Sequence, residues 1–493
     1  MAPAQNVVVL AMLLAVVFTS LNASPTEDDF LHCQRTVKRW ATSSLETKVK
    51  EDKHKLQDLL FFLHIPRTGG RTYFHCFLRR LYYSSLECPR SYDKLRFDPS
   101  KPNCRLMVTH DDYSVVSKLP RGSTSVVTIL RNPLDRVFST YEFSVEVAAR
   151  FLVHPNLTSA TQMTGRIRPK NKGVSTLDIW PWKYLVPWIR EDLFTRREIR
   201  SQGGFSSIDD NNDSYNMEKI VMPLHQFIND PIAHDIVHNG ATLQVAGLTN
   251  NSYFAESHEV RHCISKYRSL GEYVLEVAKK RLDDMLYIGL TEDHRESATM
   301  FANVVGEQVL SQFHTLSSSM EQSNNKSELS PLFLDPEGDG GRIQNTTNKL
   351  EESEVSAENV EVAKENMTVA KLMEAYEVCI SSLRKAQSRR RFSSLKRISP
   401  ANFSKEARRQ VPEAVLKQIM SLNSLDVELY KYAQGIFFQQ QKDLMEKERQ
   451  KSALSSSHAA QWKISLLVVT VLLFLVIIFL LVSARRRTSK LKI

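Results

Sequence analysis

Short apolar runs alternate with amphipathic stretches along the first half of the chain. The runs at 60–65, 105–109 and 125–130 each have the length and composition of a buried strand. Amphipathic helical patterns begin near Thr72 and near Pro133. Strands that alternate with helices in this way predict a parallel sheet, so we expect an α/β fold with helices flanking a central sheet.

Helical patterning continues further along the chain, over 217–229, 256–283 and 292–311, near 369–390, and from Pro412 to about Glu448. Between these stretches, residues rich in Ser, Asn, Glu and Gly indicate a mobile, glycosylated insertion. We therefore divide the chain into a polar segment at 25–58, a core at 59–314, the insertion at 315–368, a helical part at 369–448 and a stalk at 449–463.

Two further segments predict where the protein resides. The apolar run from Val7 to Phe18 and the small residues after it indicate a signal peptide at 1–24, although the run lacks a preceding Lys or Arg; a buried helix is the alternative. Residues 464–484 carry no charge and would form a helix of ~31 Å, enough to cross a bilayer. The basic tail at 485–493 is then cytosolic. We expect a single-pass type I membrane protein with a lumenal bulk.

The cysteines and the glycosylation sequons agree with a lumenal location. The six cysteines contain no Cys-x-x-Cys pair, which favours disulfides over a zinc or redox site, and the sequence leaves their 15 possible pairings open. Asn-x-Ser/Thr sequons are spread along the chain, at Asn22, Asn156, Asn212, Asn250, Asn325, Asn345, Asn366 and Asn402.

Composition excludes several classes of protein. With 493 residues, 42% of them hydrophobic and 24% charged, the chain fits two to four globular domains rather than a disordered or fibrous protein. A mean hydropathy of −0.30 excludes a polytopic membrane protein. The net charge is +10, but much of the excess lies in the basic tail, so we do not expect nucleic acid as a partner.

The first strand is followed by a segment suited to binding an anion. After this strand, residues 66–72 form a Gly-Gly turn that leads into a helix. Backbone N–H groups at a helix start attract anions, and glycines allow a close approach. The pattern is not a Walker A loop, which disfavours ATP or GTP hydrolysis; an ordinary strand–turn–helix connection is the alternative. The candidate ligands are Arg67, Thr68, Gly69, Gly70, Arg71 and Thr72.

The third strand leads into a second segment of this kind. Asn132 can cap a helix that has Pro133 at its first position. Arg131 lies at the strand end, and Ser139 follows about two turns into the helix. An Arg fork and a hydroxyl make a good clamp for a phosphate. Two separate phosphate sites on one sheet indicate a ligand with phosphates at both ends of a ribose.

These two segments resemble the 5′-phosphosulfate and 3′-phosphate loops of sulfotransferases that use 3′-phosphoadenylyl sulfate (PAPS). The heparan sulfate 6-O-sulfotransferase family is the most similar in its motifs, over about 59–311 and 400–440. The resemblance implies a P-loop-like sulfotransferase fold. Further matching segments are Val108–Tyr113, Gln244–Leu248, Ile288–Glu292, Asn402–Lys405 and Leu422–Tyr430.

The architecture as a whole is similar to the plant-type tyrosylprotein sulfotransferases, which join such a domain to a C-terminal anchor. Where the heparan enzymes have Lys, this chain has Arg67, and 140–143 replaces residues that contact sugar in those enzymes. The resemblance therefore implies transfer to tyrosine. The alternatives are a polysaccharide 6-O-sulfotransferase and a receptor or scaffold with a vestigial nucleotide pocket.

The resemblance also implies a role for each site residue. His110 would be the catalytic base, and Arg67 with the loop N–H groups would hold the 5′-phosphosulfate and stabilise charge on the leaving phosphate. Arg131 and Ser139 would hold the 3′-phosphate, and Lys405 would also touch the cofactor. No metal is expected, since the adjacent aspartates at 111 and 112 resemble a solvated turn more than a metal site.

The acceptor side is less sharply predicted. The tryptophans at 180, 182 and 188 either line an acceptor cleft or pack on the core. The arginines at 196, 197 and 200 either attract acidic residues that flank a tyrosine or form a solvated helix face. We expect acidic tyrosine-containing peptide precursors as substrates, in the Golgi membrane, with the oligomeric state left open.

Overall fold

The computed structural model describes ten stretches of the chain. They are residues 25–46, 54–88, 104–120, 122–153, 180–185, 191–201, 214–217, 222–313, 367–395 and 403–489. The predicted signal peptide at 1–24, nearly all of the insertion at 315–368, and Trp188 lie outside these residues.

A four-stranded parallel sheet forms the centre of the described core. Its strands are β1 (Leu59–Leu63), β2 (Leu106–Thr109), β3 (Thr124–Leu130) and β4 (Tyr287–Leu290), in the spatial order β2-β1-β3-β4. All residues of β1, β3 and β4 are buried, as expected when helices cover both faces of a parallel sheet. The prediction of an α/β fold with a parallel sheet is confirmed.

The sheet register brings the residues that follow the strands to one edge. Leu63 of β1 lies beside Thr109 of β2 and Thr128 of β3, and Leu130 of β3 lies beside Leu290 of β4. Because all four strands run in the same direction, their carboxyl ends meet at this edge, which is where ligands bind in open α/β sheets.

Helices account for most of the other described residues. In the first part of the chain they are α1 (Pro25–Leu45), α2 (Gly70–Tyr73), α3 (Arg79–Leu81), α4 (Pro133–Val153), α5 (Trp182–Leu185) and α6 (Glu191–Ser201). A π-helical turn, Phe74–Leu78, joins α2 to α3. Further along lie α7 (Leu224–Phe227), α8 (His234–Val237), α9 (Gly240–Val245), α10 (Ser257–Lys266), α11 (Gly271–Asp283), α12 (His294–Phe301), α13 (Val369–Leu395), α14 (Lys405–Arg409), α15 (Glu413–Leu422) and α16 (Ser424–Ser489).

The helix predicted over 256–283 is interrupted. At Tyr267 the backbone leaves the helical region, and a 3-10 turn, Arg268–Leu270, separates α10 from α11. The Tyr267 hydroxyl donates a hydrogen bond of 2.6 Å to Asp29 of α1, and its ring packs edge-on against Phe30. The contact with α1 therefore replaces one turn of helix, which periodicity alone cannot show.

Three disulfides pair all six cysteines. Cys33–Cys263 joins α1 to α10, and Cys88–Cys104 closes a short loop before β2. The third, Cys76–Cys379, joins the π-helical turn after α2 to α13 across 303 residues of sequence. The helix that follows the predicted insertion is thereby fastened beside the first phosphate loop.

A buried ion pair explains one of the segments that matched the sulfotransferases. Arg136 of α4 donates a hydrogen bond of 2.8 Å to Asp426 at the start of α16, and both side chains are buried. Asp426 also accepts hydrogen bonds from the backbone N–H and the hydroxyl of Thr242. Through these contacts Asp426 holds α4, α9 and α16 together.

The chain divides into two compact units, Met1–Gln434 and Gly435–Ile493. The second unit continues α16, whose apolar side chains from Leu466 to Leu481 are exposed. Among the described residues, no helix reaches the length and apolar character needed to cross a membrane. Both ends of the predicted transmembrane segment, 464 and 482–484, lie outside the residues whose side chains are described, and the prediction is not confirmed.

Candidate active site

A cleft of about 860 Å³ opens at the carboxyl edge of the sheet. It is lined by residues that follow β1, β2, β3 and β4, together with side chains of α4 and α13. Eight of the ten predicted site residues line it, namely Arg67, Gly69, Gly70, Arg71, Thr72, His110, Arg131 and Ser139. Thr68 and Lys405 do not.

The first phosphate loop turns through two left-handed residues. Arg67 has φ 69° and Gly69 has φ 85°, and α2 begins at Gly70. The hydroxyl of Thr68 donates to the Ile65 carbonyl at 2.9 Å, and the side chain is buried. Thr68 therefore stabilises the loop from inside, whereas Gly69 and the start of α2 line the cleft.

Arg67 reaches across the cleft to α4. Its Nε and Nη2 atoms donate hydrogen bonds of 3.1 and 3.0 Å to Ser139 Oγ, and its guanidinium carbon lies 4.5 Å from the centre of the Phe143 ring. Residues predicted at opposite ends of the cofactor thus touch one another in this structure. Arg67 and Phe143, which both depart from the heparan sulfate enzymes, form a cation–π pair.

Arg131, at the end of β3, supplies a half-buried positive charge. Its Nη1 donates to the Arg67 carbonyl at 3.1 Å, whereas its buried Nε makes no hydrogen bond with any described residue. Glu292 Oε1 lies 3.9 Å from Nε, and burial lowers the pKa of the guanidinium. A buried donor without a partner is costly unless an acceptor such as an anion completes it, so the residues present fit a phosphate ligand.

Glu292 is itself held in place by two contacts. Its Oε1 accepts a hydrogen bond of 3.1 Å from the Asn132 backbone, and its Oε2 accepts one of 2.8 Å from the Tyr430 hydroxyl. The segments Ile288–Glu292 and Leu422–Tyr430 therefore meet behind Arg131. Their resemblance to the sulfotransferases reflects the support of this arginine.

His110 follows β2 and is half-buried at the cleft edge. Its Nδ1 lies 2.8 Å from the carbonyl oxygen of His64. Because a carbonyl can only accept, Nδ1 carries the proton and Nε2 carries the lone pair. Burial lowers the pKa of His110 to about 4, although the hydrogen bond to His64 opposes this shift. The ring is therefore neutral at the pH of a cell and able to accept a proton.

His64 is a site residue that sequence analysis treated only as part of the first strand. Its ring stacks on that of His110, with 4.1 Å between the ring centres and 27° between the planes. Burial, His110 and Arg67 all lower the pKa of His64. A signal was present, since β1 and β2 are each followed directly by a histidine and lie side by side.

The cleft extends outward along one face of α4. Ser139, Phe143, Glu146 and Arg150 all line it, at the spacing of successive helical turns. At 1.5 Å per residue, this face covers ~16 Å. An extended peptide advances about 3.3 Å per residue, so the cleft has room for the neighbours of an acceptor residue as well as its side chain.

The opposite wall of this outer cleft comes from α13. Arg384, Gln387 and Ser388 line it, and α13 packs against α4 and the π-helical turn. Sequence analysis placed this region in a long, weakly matched stretch and assigned no site residue to it. The Cys76–Cys379 disulfide shows why the helix belongs to the site, because it holds α13 next to the first phosphate loop.

The two described tryptophans near the cleft correspond to the two alternatives considered from the sequence, a place in the cleft and a place in the core. Trp182 lines the cleft, with its ring 6.1 Å from that of His110 and edge-on to it, whereas Trp180 is buried in the core. Arg197 packs over the Phe151 ring of α4 rather than facing the cleft. Neither it nor Arg196 is among the cleft-lining residues.

The expectation of a solvated turn at Asp111 and Asp112 is wrong. Both side chains are buried. Asp112 accepts hydrogen bonds from the backbone and hydroxyl of Thr249 at 2.9 and 2.7 Å, and Asp111 accepts one of 2.9 Å from Thr109. Both carboxylates therefore anchor the chain after β2 beneath His110. Within the described residues, no cluster of His, Cys, Asp and Glu could hold a metal ion.

Lys405 lies at the exposed first position of α14 and outside the cleft-lining residues. Three residues later, Arg408 donates to Asp135 at 2.6 Å and to Glu142 at 2.7 Å, both on α4. The segment thus approaches α4 through Arg408. The role predicted for Lys405 at the cofactor stays a prediction.

Comparison with known proteins identifies the family of this chain. The chain is 59% identical over 424 residues to a protein-tyrosine sulfotransferase of Arabidopsis thaliana, an alignment that covers 86% of this chain and 83% of the relative. No protein-family model matches the chain. An identity of this level over nearly the whole of both proteins shows common family membership. The chain belongs to the protein-tyrosine sulfotransferases.

Proposed function

We propose that this protein transfers a sulfuryl group from PAPS to tyrosine hydroxyls of secreted peptides and proteins. The products would be tyrosine O-sulfate and adenosine 3′,5′-bisphosphate. The observation that carries the proposal is the position of His110, whose Nε2 bears a lone pair in the same cleft as the phosphate loop and Arg131.

The donor would be held by the two segments at the carboxyl ends of β1 and β3. The start of α2 and Arg71 are suited to the 5′-phosphosulfate, and Arg131 and Ser139 to the 3′-phosphate. When bound, PAPS supplies an activated sulfuryl group and a stable bisphosphate leaving group. Arg67 donates to Ser139 and accepts a hydrogen bond from Arg131 at its carbonyl, so it joins the two segments and would stabilise charge on the leaving phosphate.

His110 would remove the proton of the acceptor tyrosine. A phenol has a pKa near 10, so its oxygen needs a base to attack at neutral pH. The hydrogen bond from Nδ1 to the His64 carbonyl keeps the other nitrogen as the acceptor of that proton. Negative charge of a bound donor would raise the pKa of His110 above that of the empty site and make it a stronger base.

Substrates with acidic residues beside the tyrosine fit the outer cleft. Its described walls carry the cations Arg71, Arg150 and Arg384 and one carboxylate, Glu146, which pairs with Arg150 at 3.4 Å. Arg384 is exposed where it lines the cleft. Positive charge along a groove favours binding of acidic peptides by electrostatic complementarity.

A polysaccharide acceptor is less well supported than a peptide. Three of the four residues that replace the sugar-contacting segment, at 140–142, are buried. Phe143 faces the cleft but packs against Arg67, so it offers an aromatic ring where a sugar would need hydrogen-bond partners. An aromatic surface with Trp182 suits a tyrosine side chain.

We also propose that the protein lies in the Golgi membrane with its catalytic unit in the lumen. The uncharged stretch at 464–484, the arginines that follow it, and the apolar signal-like run at 7–18 support this orientation. Three disulfides among six cysteines are compatible with an oxidising compartment. Secreted precursors would meet the enzyme there.

The test is a transfer assay with the full-length protein in detergent and sulfur-labelled PAPS. Two acceptors are offered in parallel, an acidic peptide that contains Asp-Tyr and an N-sulfated heparan precursor. Label on the peptide, lost when its Tyr becomes Phe, is the expected result. Label on the polysaccharide alone would overturn the proposal in favour of 6-O-sulfation.

A further inference from the structure

The ring of His64 lies between the phosphate loop and the catalytic base. On one side it stacks on His110 at 4.1 Å between ring centres. Its Cδ2–Nε2 edge lies against Gly70, the first residue of α2, so closely that a Cβ atom at Gly70 would lie 2.3 Å from His64 Cδ2 and 2.6 Å from Nε2. No side chain other than hydrogen fits at residue 70 without displacing this ring.

These two contacts couple two parts of the reaction. Gly70 belongs to the loop that would hold the phosphosulfate, and His110 would take the proton from the attacking oxygen. The ring of His64 touches both, so the position of the base relative to the donor depends on this ring. Reactions of this kind are sensitive to small changes in such a distance.

The backbone of His64 contributes a second constraint. Its carbonyl accepts the hydrogen bond from His110 Nδ1 at 2.8 Å. Gln244 of α9 donates from Nε2 to the carbonyls of His64, His110 and Asp111, at 3.2, 2.9 and 3.2 Å. Since three carbonyls can only accept, the amide nitrogen must face them. The ends of β1 and β2 are therefore held together at the level of the two rings.

Gln244 holds these carbonyls although its own side-chain oxygen lacks a partner among the described residues. Its side chain is buried, and its Oε1 accepts no hydrogen bond from any described residue. A buried acceptor without a partner is destabilising, so a residue of this kind needs a reason to be there. The clamp on the two histidine carbonyls is such a reason. It also gives a role to the segment Gln244–Leu248, which sequence analysis had matched to the sulfotransferases without assigning it a task.

We propose that His64 is a positioning residue for the catalytic base: its ring spaces and orients His110 against the phosphate loop, and its carbonyl, clamped by Gln244, selects the reactive nitrogen of His110. This inference rests on the proposed function. The charged and titratable groups that face the His64 ring are His110 and Arg67. Both oppose a positive charge on His64, so the ring stays neutral while His110 gains and releases a proton.

The experiment compares His64→Phe with His64→Ala in the full-length protein. Phe keeps an aromatic plane between Gly70 and His110 and keeps the carbonyl, whereas Ala removes the ring and admits water. We expect kcat to fall about tenfold to hundredfold for Ala and to be largely kept for Phe. The dissociation constant of adenosine 3′,5′-bisphosphate, measured by calorimetry, should be unchanged in both.

A spectroscopic readout separates positioning from mere stability and does not depend on transfer. With His110 labelled for NMR, its pKa near 4 should rise towards 6.5 in His64→Ala, because burial is its main cause, and stay low in His64→Phe. The matched control is His234→Ala, which breaks another stacked histidine pair and should change neither kcat nor the His110 titration.

Three outcomes would overturn the inference. The first is full activity of His64→Ala. The second is equal loss in a folded His64→Phe, which would mean that a ring nitrogen of His64 itself takes part in the reaction. If His64→Ala does not fold, Gln244→Met is tested in its place. The third outcome is then a Gln244→Met protein with unchanged kcat and an unchanged His110 titration. A failure of the wild-type protein to label any peptide, with the NMR shifts as expected, would instead count against the proposed function.

Discussion

Two stacked histidine pairs in this molecule have almost the same geometry. The rings of His64 and His110 lie 4.1 Å apart at 27°, and those of His234 and His238 lie 4.0 Å apart at 25°. The second pair is one helical turn apart, at the start of α8 and just after its end. Burial lowers the pKa of His238 to about 4, as it does for His110. Neither stacking nor a lowered pKa therefore distinguishes a catalytic histidine.

The surroundings of the two pairs differ in their place in the fold. The second pair lines a separate cavity of about 380 Å³, in which Arg261 pairs with the carboxylate of Asp235 and bonds Asn250. In the first cleft, Arg131 lies at the carboxyl end of β3, with its Nε 3.9 Å from Glu292 and without a hydrogen bond to any described residue. The comparison shows that a cleft at the ends of the strands, with an unused arginine donor, identifies the site, whereas the histidine pair does not.

The largest effect should come from removing the base of the first pair. Proton transfer by a positioned side chain contributes about 10²- to 10⁴-fold to a rate, so His110→Ala should lower kcat by that factor and leave binding of adenosine 3′,5′-bisphosphate intact. His238→Ala is the control, since it removes the equivalent ring of the second pair. Transfer rates at saturating donor and peptide measure both. An equal loss of kcat in the two variants would contradict the assignment of the first pair, rather than the second, to the active site.

The parts of the site that follow from local pattern were predictable from the sequence. The Gly-Gly turn after β1 and the cap at Asn132 after β3 are short-range signals, because each depends on the backbone of a few consecutive residues. A parallel sheet places the carboxyl ends of all its strands at one edge, so the two segments are predicted to meet there whatever the order of the strands. This is why Arg67, Gly70 and Arg131 were identified together with the fold class.

The rest depends on contacts between residues distant in sequence. The stacking of His64 on His110 needs the order β2-β1 in the sheet, which periodicity does not give. The place of α13 in the cleft needs the pairing of Cys76 with Cys379, one of the alternatives that the sequence left open. Burial of Asp112 needs Thr249, 137 residues away, so a short polar pair after a strand was mistaken for a solvated turn.

A smaller effect is expected from the cations of the two cavities. Charge-assisted hydrogen bonds contribute about 1.5–3 kcal/mol, so Arg131→Gln should weaken binding of adenosine 3′,5′-bisphosphate about tenfold to hundredfold. Arg261→Gln should leave this affinity unchanged, because Asp235 already neutralises the arginine. Calorimetric titration of the two variants provides the measurement. If Arg261→Gln lost as much affinity, the second cavity would have to be counted as a phosphate site.

Acceptor recognition should change less again. Arg384 is exposed, and exposed ion pairs contribute only about 0.2–1 kcal/mol, so Arg384→Glu should raise the KM for an acidic peptide about two- to fivefold. Lys385→Glu changes the charge of α13 equally but does not line the cleft, and should have little effect. The KM for PAPS should stay constant in both variants. A rise in the KM for PAPS with Arg384→Glu would place this arginine on the donor instead.

The smallest effect near neutral pH concerns stability. In the folded protein the pKa values of His110 and His238 lie near 4, against 6.5 for an unperturbed histidine. Between these values the unfolded chain binds protons that the folded protein does not, so the free energy of unfolding should rise with pH from about 4 to 6.5 and then level off. Urea denaturation of the full-length protein at several pH values measures this slope.

Binding of the product should affect the pKa values of the two pairs differently. Adenosine 3′,5′-bisphosphate brings negative charge next to His110 but not next to His238, so it should raise the pKa of His110 alone. The contribution of His110 to the slope of the unfolding free energy against pH should therefore be smaller in the presence of the product. The contribution of His238, measured as the slope lost in His238→Phe, should be the same with and without the product. An equal response of both histidines would show that the ligand acts through the fold as a whole. The position of the first pair beside the phosphate loop would then not explain the change in the pKa of His110.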